Sequence, residues 1–248
     1  GAAALAALDA AIAAVAAGTC RAIVTAPVSK YAITLAGGAF VGQTEHLAAH
    51  AGLASDAVTM MFIGPHLKVA LVTTHLALRD VPRALTRPRV MRTLAHMGEA
   101  MIALGAPPGA RIVVTGANPH AGEDGLFGDE EPKVISRAIA WGRTVGPYKT
   151  GALELVGPIG AETAFREAKA GLCAGVVAMF HDQATIASKL LDWGDAVNVT
   201  WGLPYVRTSV DHGVGWDAAR SGEIDEGGMV AAARLAQVLS ARPRPAQR

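Results

Sequence analysis

Short apolar runs alternate along the chain with longer stretches whose apolar positions recur at helical spacing. Arg21–Thr25 reads as a strand ending in Ala26-Pro27, and Val58–Ile63 and Lys68–Thr73 read as two more, separated by the turn Gly64-Pro65. Val81–Leu104 carries one helical period closed by Gly105 and Pro107-Pro108. Arg111–Thr115 is a buried strand followed by the loop Gly116–Gly128, and Glu131–Gly142 is helical. Leu153–Val156 is extended, Ala161–Ala170 helical, and Gly175–Met179 a strand running into Phe180-His181-Asp182 and a further helix. Val197–Thr200 and Val206–Val210 are extended, and Gly227–Leu239 forms a terminal helix. Gly1–Gly18 is Ala-rich, and Asp9 interrupts it, so it reads as an amphipathic or buried helix rather than a membrane span. Strands alternating with helices predict an α/β architecture with a largely parallel sheet, in which chemistry gathers at strand C-terminal ends.

Composition narrows the class. Of 248 residues 51% are hydrophobic and 17% charged, which is a globular and not a disordered composition. Net charge is +1, and the basic cluster Arg242–Arg248 is the one that stands out, so nothing argues for nucleic-acid binding. Two cysteines, Cys20 and Cys173, exclude a disulfide framework and fit a reduced, cytoplasmic setting. No repeat, P-loop or G-x-G-x-x-G following a first strand is present.

The histidines carry the candidate chemistry. His75, His120 and His181 each end an apolar strand or sit in the loop after one, where three imidazoles can converge on a divalent cation. The competing reading makes each a separate loop or core residue. Asp182 orients a ligand, moves a proton, or caps the following helix. Lys189 is a base or phosphate contact, or a solvated helix lysine. Thr44, in the polar stretch Gly42–His46, opens a helix whose N-terminus can hold an anion. Asn198 and Arg207 lie in or beside apolar strands, where polar side chains need partners, and Arg207 suits a carboxylate or phosphate clamp.

Seven ordered motifs then define a resemblance over about Arg21–Leu239: TAPVSK (Thr25–Lys30), GQTEH (Gly42–His46), VALVTTHLALRDVP (Val69–Pro82), GANPHAGEDGLFGDEE (Gly116–Glu131), GPIGAETAF (Gly157–Phe165), MFHDQ (Met179–Gln183) and VNVTWGLPYVRTSVDHG (Val197–Gly213). Together they resemble the 4-hydroxythreonine-4-phosphate dehydrogenase family of pyridoxal phosphate biosynthesis. The resemblance implies an isocitrate/isopropylmalate dehydrogenase-like fold, with two α/β/α domains and the active site in the cleft between them. It divides the chain into a nucleotide-side domain, residues 1–36 plus 213–248, and a metal- and substrate-binding, dimerising domain, residues 37–212.

By the same resemblance His75, His120 and His181 bind one divalent ion (Zn, Co, Mn or Mg) at a site shared across a homodimer. Gln43, Thr44, Lys189, Asn198 and Arg207 contact substrate. His212, Gly213 and Asp217 line the NAD or NADP site, and Lys189 or Asp182 handles the catalytic proton. The implied reaction is oxidation, with decarboxylation, of a phosphorylated hydroxy acid. Branches acting on 4-phospho-D-threonate or 4-phospho-D-erythronate, or on a dihydrodiol of terephthalate, are alternatives, as is a non-catalytic phosphoacid-binding homologue.

The chain departs from the family pattern at several positions. Gln43 replaces a His, Glu162 stands where Asp is common, Ala184 follows HDQ in place of Gly, and Trp216 replaces a smaller residue. The family's Gly-rich opening of the type GDPAGIGPE does not occur, so either part of a longer protein is absent from the sequence or that strand is lost.

Overall fold

The computed structural model describes residues 1–241, and the basic cluster at Arg242–Arg248 lies outside them. In chain order the elements are α1 (Ala2–Ala16), β1 (Ala22–Thr25), α2 (Lys30–Leu35), α3 (Gln43–His50), β2 (Thr59–Ile63), β3 (Lys68–Leu71), α4 (Val81–Ala84) and α5 (Arg87–Leu104). There follow β4 (Ala110–Thr115), α6 (Ser136–Gly142), α7 (Gly146–Lys149), β5 (Leu153–Ile159), α8 (Ala161–Lys169), β6 (Gly175–Ala178) and α9 (His181–Leu191). The chain ends with β7 (Val197–Trp201), β8 (Val206–Ser209), α10 (Trp216–Ser221) and α11 (Gly227–Ser240). No described helix is long and apolar enough to cross a membrane.

The chain forms two compact α/β units: residues 1–58 with 194–248, and residues 59–193. In the first, β8 lies between β1, which it pairs in parallel, and β7, which it pairs antiparallel. The α1 residues Leu8 and Ile12 pack with Ile23, Ile33, Leu47 and Leu203 into its core. In the second, the strand order is β2-β3-β6-β4-β5, with β2 antiparallel and the rest parallel. Each unit therefore departs from an all-parallel sheet by one antiparallel pair. The β2–β3 connection is the predicted Gly64-Pro65 turn, fixed by buried Asp192, whose carboxylate accepts from the backbone N–H groups of His66 and Leu67.

The core of the second unit gathers Phe62, Leu67, Val69, Leu71, Val113, Val176 and Ala178, all nearly inaccessible. Burying each large apolar side chain contributes about 1.5–3 kcal/mol. Helix α5 buries Val90, Leu94, Met97 and Met101 and ends at Gly105, whose φ of 80° is the left-handed cap that a Cβ resists. The predicted helix Val81–Leu104 is broken between α4 and α5. Pro88 explains the break: inside a continuous helix its ring would clash with the carbonyl of Ala84, where α4 ends. Strand β5 runs to Ile159, beyond the predicted Val156, because a register shift in its pairing with β4 carries it past Gly157-Pro158. As the edge strand of this unit it tolerates a proline.

Candidate functional site

In the first unit, strand register assembles a polar pocket. Thr25 pairs with Ser209 across β1–β8, and Ser209 pairs with Asn198 across β8–β7. Arg207, two residues before Ser209 on the same face of β8, is 3% exposed. Its guanidinium donates to Thr200 Oγ1 at 2.9 Å, Thr25 Oγ1 at 2.9 Å and Gln43 Oε1 at 3.0 Å. These are neutral oxygens, so dipoles hold the charge without cancelling it. Burial lowers the Arg207 pKa to about 10, opposed by Tyr205 and Glu45, and the group stays cationic at neutral pH. Three buried polar atoms here find no protein partner: Arg207 Nε, Asn198 Oδ1 and the Tyr205 hydroxyl. Buried polar groups are normally paired, so such a cluster points to a ligand.

Gln43 links the backbone after β1 to the buried arginine. Its Nε2 donates to Ala26 O at 2.9 Å while its Oε1 accepts from Arg207. A neutral imidazole would likewise donate through one nitrogen and accept through the other. Thr44 follows it in the first turn of α3, partly exposed. His212, Gly213 and Asp217 are exposed, and His212 Nδ1 donates to Gly213 O at 2.9 Å.

In the second unit, His75 follows β3 and His181 opens α9, with ring centroids 5.3 Å apart. The parallel pairing of β3 with β6 brings these strand ends side by side. Asp182 Oδ1 accepts from His181 Nδ1 at 2.7 Å. That bond fixes the tautomer and leaves Nε2 free to coordinate a cation, the usual outer-shell arrangement of metal-ligating histidines. Asp182 makes no capping bond to α9, whose N-cap is Phe180. The two strand-end imidazoles are near neighbours, a pair and not a full ligand set. His120 stands on the loop after β4, its ring 6.3 Å from that of Phe127, and does not join His75 and His181 in a group with ligand atoms within 4.8 Å. Lys189 Nζ lies 5.3 Å from the centroid of the Trp193 ring, a cation–π contact.

Two residues of this region escaped the sequence reading. Glu131, 3% exposed, accepts the Ala117 and Asn118 N–H groups at 2.8 Å each through Oε1, and the Asn118 side-chain amide at 3.0 Å through Oε2. It holds an unusual loop, in which His120, Ala121, Gly122, Glu123 and Asp124 all have positive φ. Such strain in non-glycine residues concentrates at functional sites. Gln183 accepts from Met179 N and Thr115 Oγ1 and donates to Gly116 O, tying the ends of β6 and β4 together. Gln183 was visible in the motif MFHDQ without its role. Glu162, on the same unit, has its carboxyl lowered chiefly by the Thr163 hydroxyl and local backbone amides, with a smaller pull from His120.

An α/β protein with strand-end histidines and a buried arginine has the makings of a dehydrogenase, and its relatives bear this out. A protein from Chromobacterium violaceum named 4-hydroxythreonine-4-phosphate dehydrogenase is 45% identical over 239 residues, covering 95% of this chain and 70% of that protein. A protein of the same name from Geobacter metallireducens is 43% identical over 225 residues, covering 90% of this chain and 63% of the relative. The crystal structure of 4-hydroxythreonine-4-phosphate dehydrogenase from Klebsiella pneumoniae superposes with a TM-score of 0.80 at 37% identity, over 95% of this chain and 68% of that one. The chain thus spans about two thirds of the length of the proteins it matches. The profile of the family described as pyridoxal phosphate biosynthetic protein PdxA matches residues 1–236, and the chain belongs to that family.

Proposed function

We propose that the chain carries the activity for which its relatives are named: metal-dependent, NAD(P)-linked oxidation of a phosphorylated hydroxy acid, with decarboxylation. The observation that carries this reading is the buried Arg207, cationic, with its Nε and the nearby Asn198 Oδ1 unpartnered. The oxygens of an anionic substrate supply the acceptor that Arg207 Nε lacks, and a substrate hydroxyl can donate to Asn198 Oδ1. In this reading Arg207, Asn198, Thr44 and Lys189 hold its phosphate and carboxylate oxygens, and Gln43 fixes the Arg207 guanidinium.

A divalent ion held by His75, His120 and His181 would supply Lewis acidity to the substrate hydroxyl. Lys189 or Asp182 takes the hydroxyl proton, and a bound nicotinamide nucleotide would accept the hydride from the carbon that bears that hydroxyl. The product ketone is β to the carboxylate, so the bond to the carboxyl carbon can then break with release of CO2, its electron pair passing to the ketone as an enolate that is protonated to the final ketone. His212, Gly213 and Asp217 are assigned to the nucleotide. A homodimer with a shared metal site is part of the same proposal.

Gln43, in place of the His that the resemblance leads one to expect, leaves a second substrate class to test. An amide cannot exchange protons as imidazole does, which turns attention to the 4-phospho-D-threonate and 4-phospho-D-erythronate branch. One experiment separates these readings: NAD(P)H absorbance followed with 4-phosphohydroxythreonine, 4-phosphothreonate and 4-phosphoerythronate, each with divalent metals supplied. Reduction with the first supports the primary reading, and reduction with only the others supports the second. Binding without reduction of either nucleotide by any of the three would sink both.

A further inference from the structure

Helix α3 carries another pair of histidines that the reaction does not use. His46 and His50 are four residues apart, so both imidazoles leave the same side of the helix, and their ring centroids are 4.5 Å apart. Asp9, from α1, meets them: its Oδ1 accepts from His46 Nε2 at 2.7 Å and lies 3.9 Å from His50 Nε2. Among the described residues this is the one set of three His, Cys, Asp or Glu whose ligand atoms all lie within 4.8 Å of one another. We propose that Asp9, His46 and His50 form a separate site for zinc or a similar borderline transition-metal ion.

The geometry is close to what coordination requires. Tetrahedral bonds of about 2.0–2.1 Å place ligand atoms about 3.3 Å apart. The 2.7 Å contact must open and the 3.9 Å contact must close by about 0.6 Å each, which small side-chain rotations achieve. The side chains of Asp9 and His50 are both 47% exposed and free to make them, while His46, 17% exposed and set against the Phe40 ring, is the fixed member.

Two imidazoles and one carboxylate make the three-ligand set that zinc uses with a fourth position left for water. Hard, oxygen-seeking cations such as magnesium or calcium are poorly served by it. The Asp9–His46 hydrogen bond accounts for two of the three residues but gives no reason for His50 to face the same carboxylate. Coordination through His46 Nε2 replaces its hydrogen bond to Asp9 and places the ring proton on Nδ1. A bound ion would also brace α1 against the helix whose first turn carries Gln43 and Thr44.

The test uses the whole chain, stripped with chelator and titrated with zinc alone. Calorimetry and metal content after dialysis are compared for the wild type, His50→Gln, Asp9→Asn and His181→Gln, with circular dichroism confirming the fold of each. The wild type should hold one zinc equivalent more than His50→Gln and Asp9→Asn. His181→Gln should keep the equivalent that depends on His50. Zinc should raise the melting midpoint of His181→Gln more than that of His50→Gln. Wild-type stoichiometry and affinity in both His50→Gln and Asp9→Asn, or zinc loss confined to His181→Gln, would overturn the proposal and reduce the cluster to an ion pair.

Discussion

Glu131 decides whether the loop bearing His120 keeps its shape. His120, Ala121, Glu123 and Asp124 all carry a Cβ and have φ of 40–55°. L-residues in that conformation cost roughly 1–2 kcal/mol each, so the four store about 4–8 kcal/mol. Glu131 opposes this with three hydrogen bonds to one buried carboxylate. At about 1.5–3 kcal/mol for each bond to a charged acceptor, they contribute about 4.5–9 kcal/mol. The two terms nearly balance, so the loop depends on that single side chain. Glu131→Gln retains the Oε1 acceptor but turns an NH2 toward the Asn118 amide, which should cost about 1.5–3 kcal/mol. Glu131→Ala removes all three bonds, and the loop should open. Amide hydrogen exchange over residues 117–126 reads this directly. A loss of about 4.5 kcal/mol accelerates exchange there by roughly a thousandfold, while β4 and β6 stay protected. Wild-type protection of this segment in Glu131→Ala would refute the argument, and Glu131→Gln should fall between the two.

Three further outcomes are expected. His96, bonded through Nδ1 to the Thr59 hydroxyl at 2.8 Å, has its pKa lowered to about 4 by burial and by Arg92. The unfolded chain takes up this proton near pH 6.5 and the folded chain does not until about pH 4. Stability is therefore complete above pH 6.5 and falls by about 3 kcal/mol between 6.5 and 4, and His96→Gln should flatten that slope in urea titrations at stepped pH. Asp182→Asn should weaken zinc binding through His181 by roughly 10–100-fold, read by competition with a chromophoric chelator, because the ring loses the carboxylate that sets its tautomer. Arg207→Met should lower kcat/KM for a phosphorylated hydroxy acid by roughly 100-fold or more with little change in the urea midpoint, since a buried charge is replaced by an apolar chain of similar reach.

Much of the fold was legible because its strands are apolar runs with turn residues at their ends. Arg21–Thr25, Lys68–Thr73 and Arg111–Thr115 all became strands, and the β2–β3 turn was written in Gly64-Pro65. The split of α4 from α5 was missed, although Pro88 marks it. What could not be read was longer in range. Four of the five residues in the left-handed loop are not glycine, so local propensity argues against the conformation they adopt. The cause sits in Glu131, eleven residues beyond His120, and only packing shows it to be a buried acceptor rather than a helix-opening surface acid. Arg207 could be suspected from a charge within an apolar strand. Its partners Thr25 and Thr200 could not, because they meet it through cross-strand register.

That register gives the polar pocket its character. A buried guanidinium beside a carboxylate would be stabilised and quenched at once, leaving little potential for a ligand. Arg207 is hydrogen-bonded instead by two hydroxyls and one amide, which lower the cost of burying the charge, while the Glu45 carboxylate attracts it without a direct bond. Exchanging the family histidine for Gln43 preserves this arrangement, because the amide still donates to Ala26 and accepts from Arg207. What the exchange removes is a group that titrates near neutral pH. In the proposed reaction the proton must then pass through Lys189 or Asp182 while Gln43 serves orientation alone. Restoring imidazole with Gln43→His should therefore alter the pH profile of kcat/KM more than its maximum. An unchanged profile would mean that this position never carried a proton in the reaction.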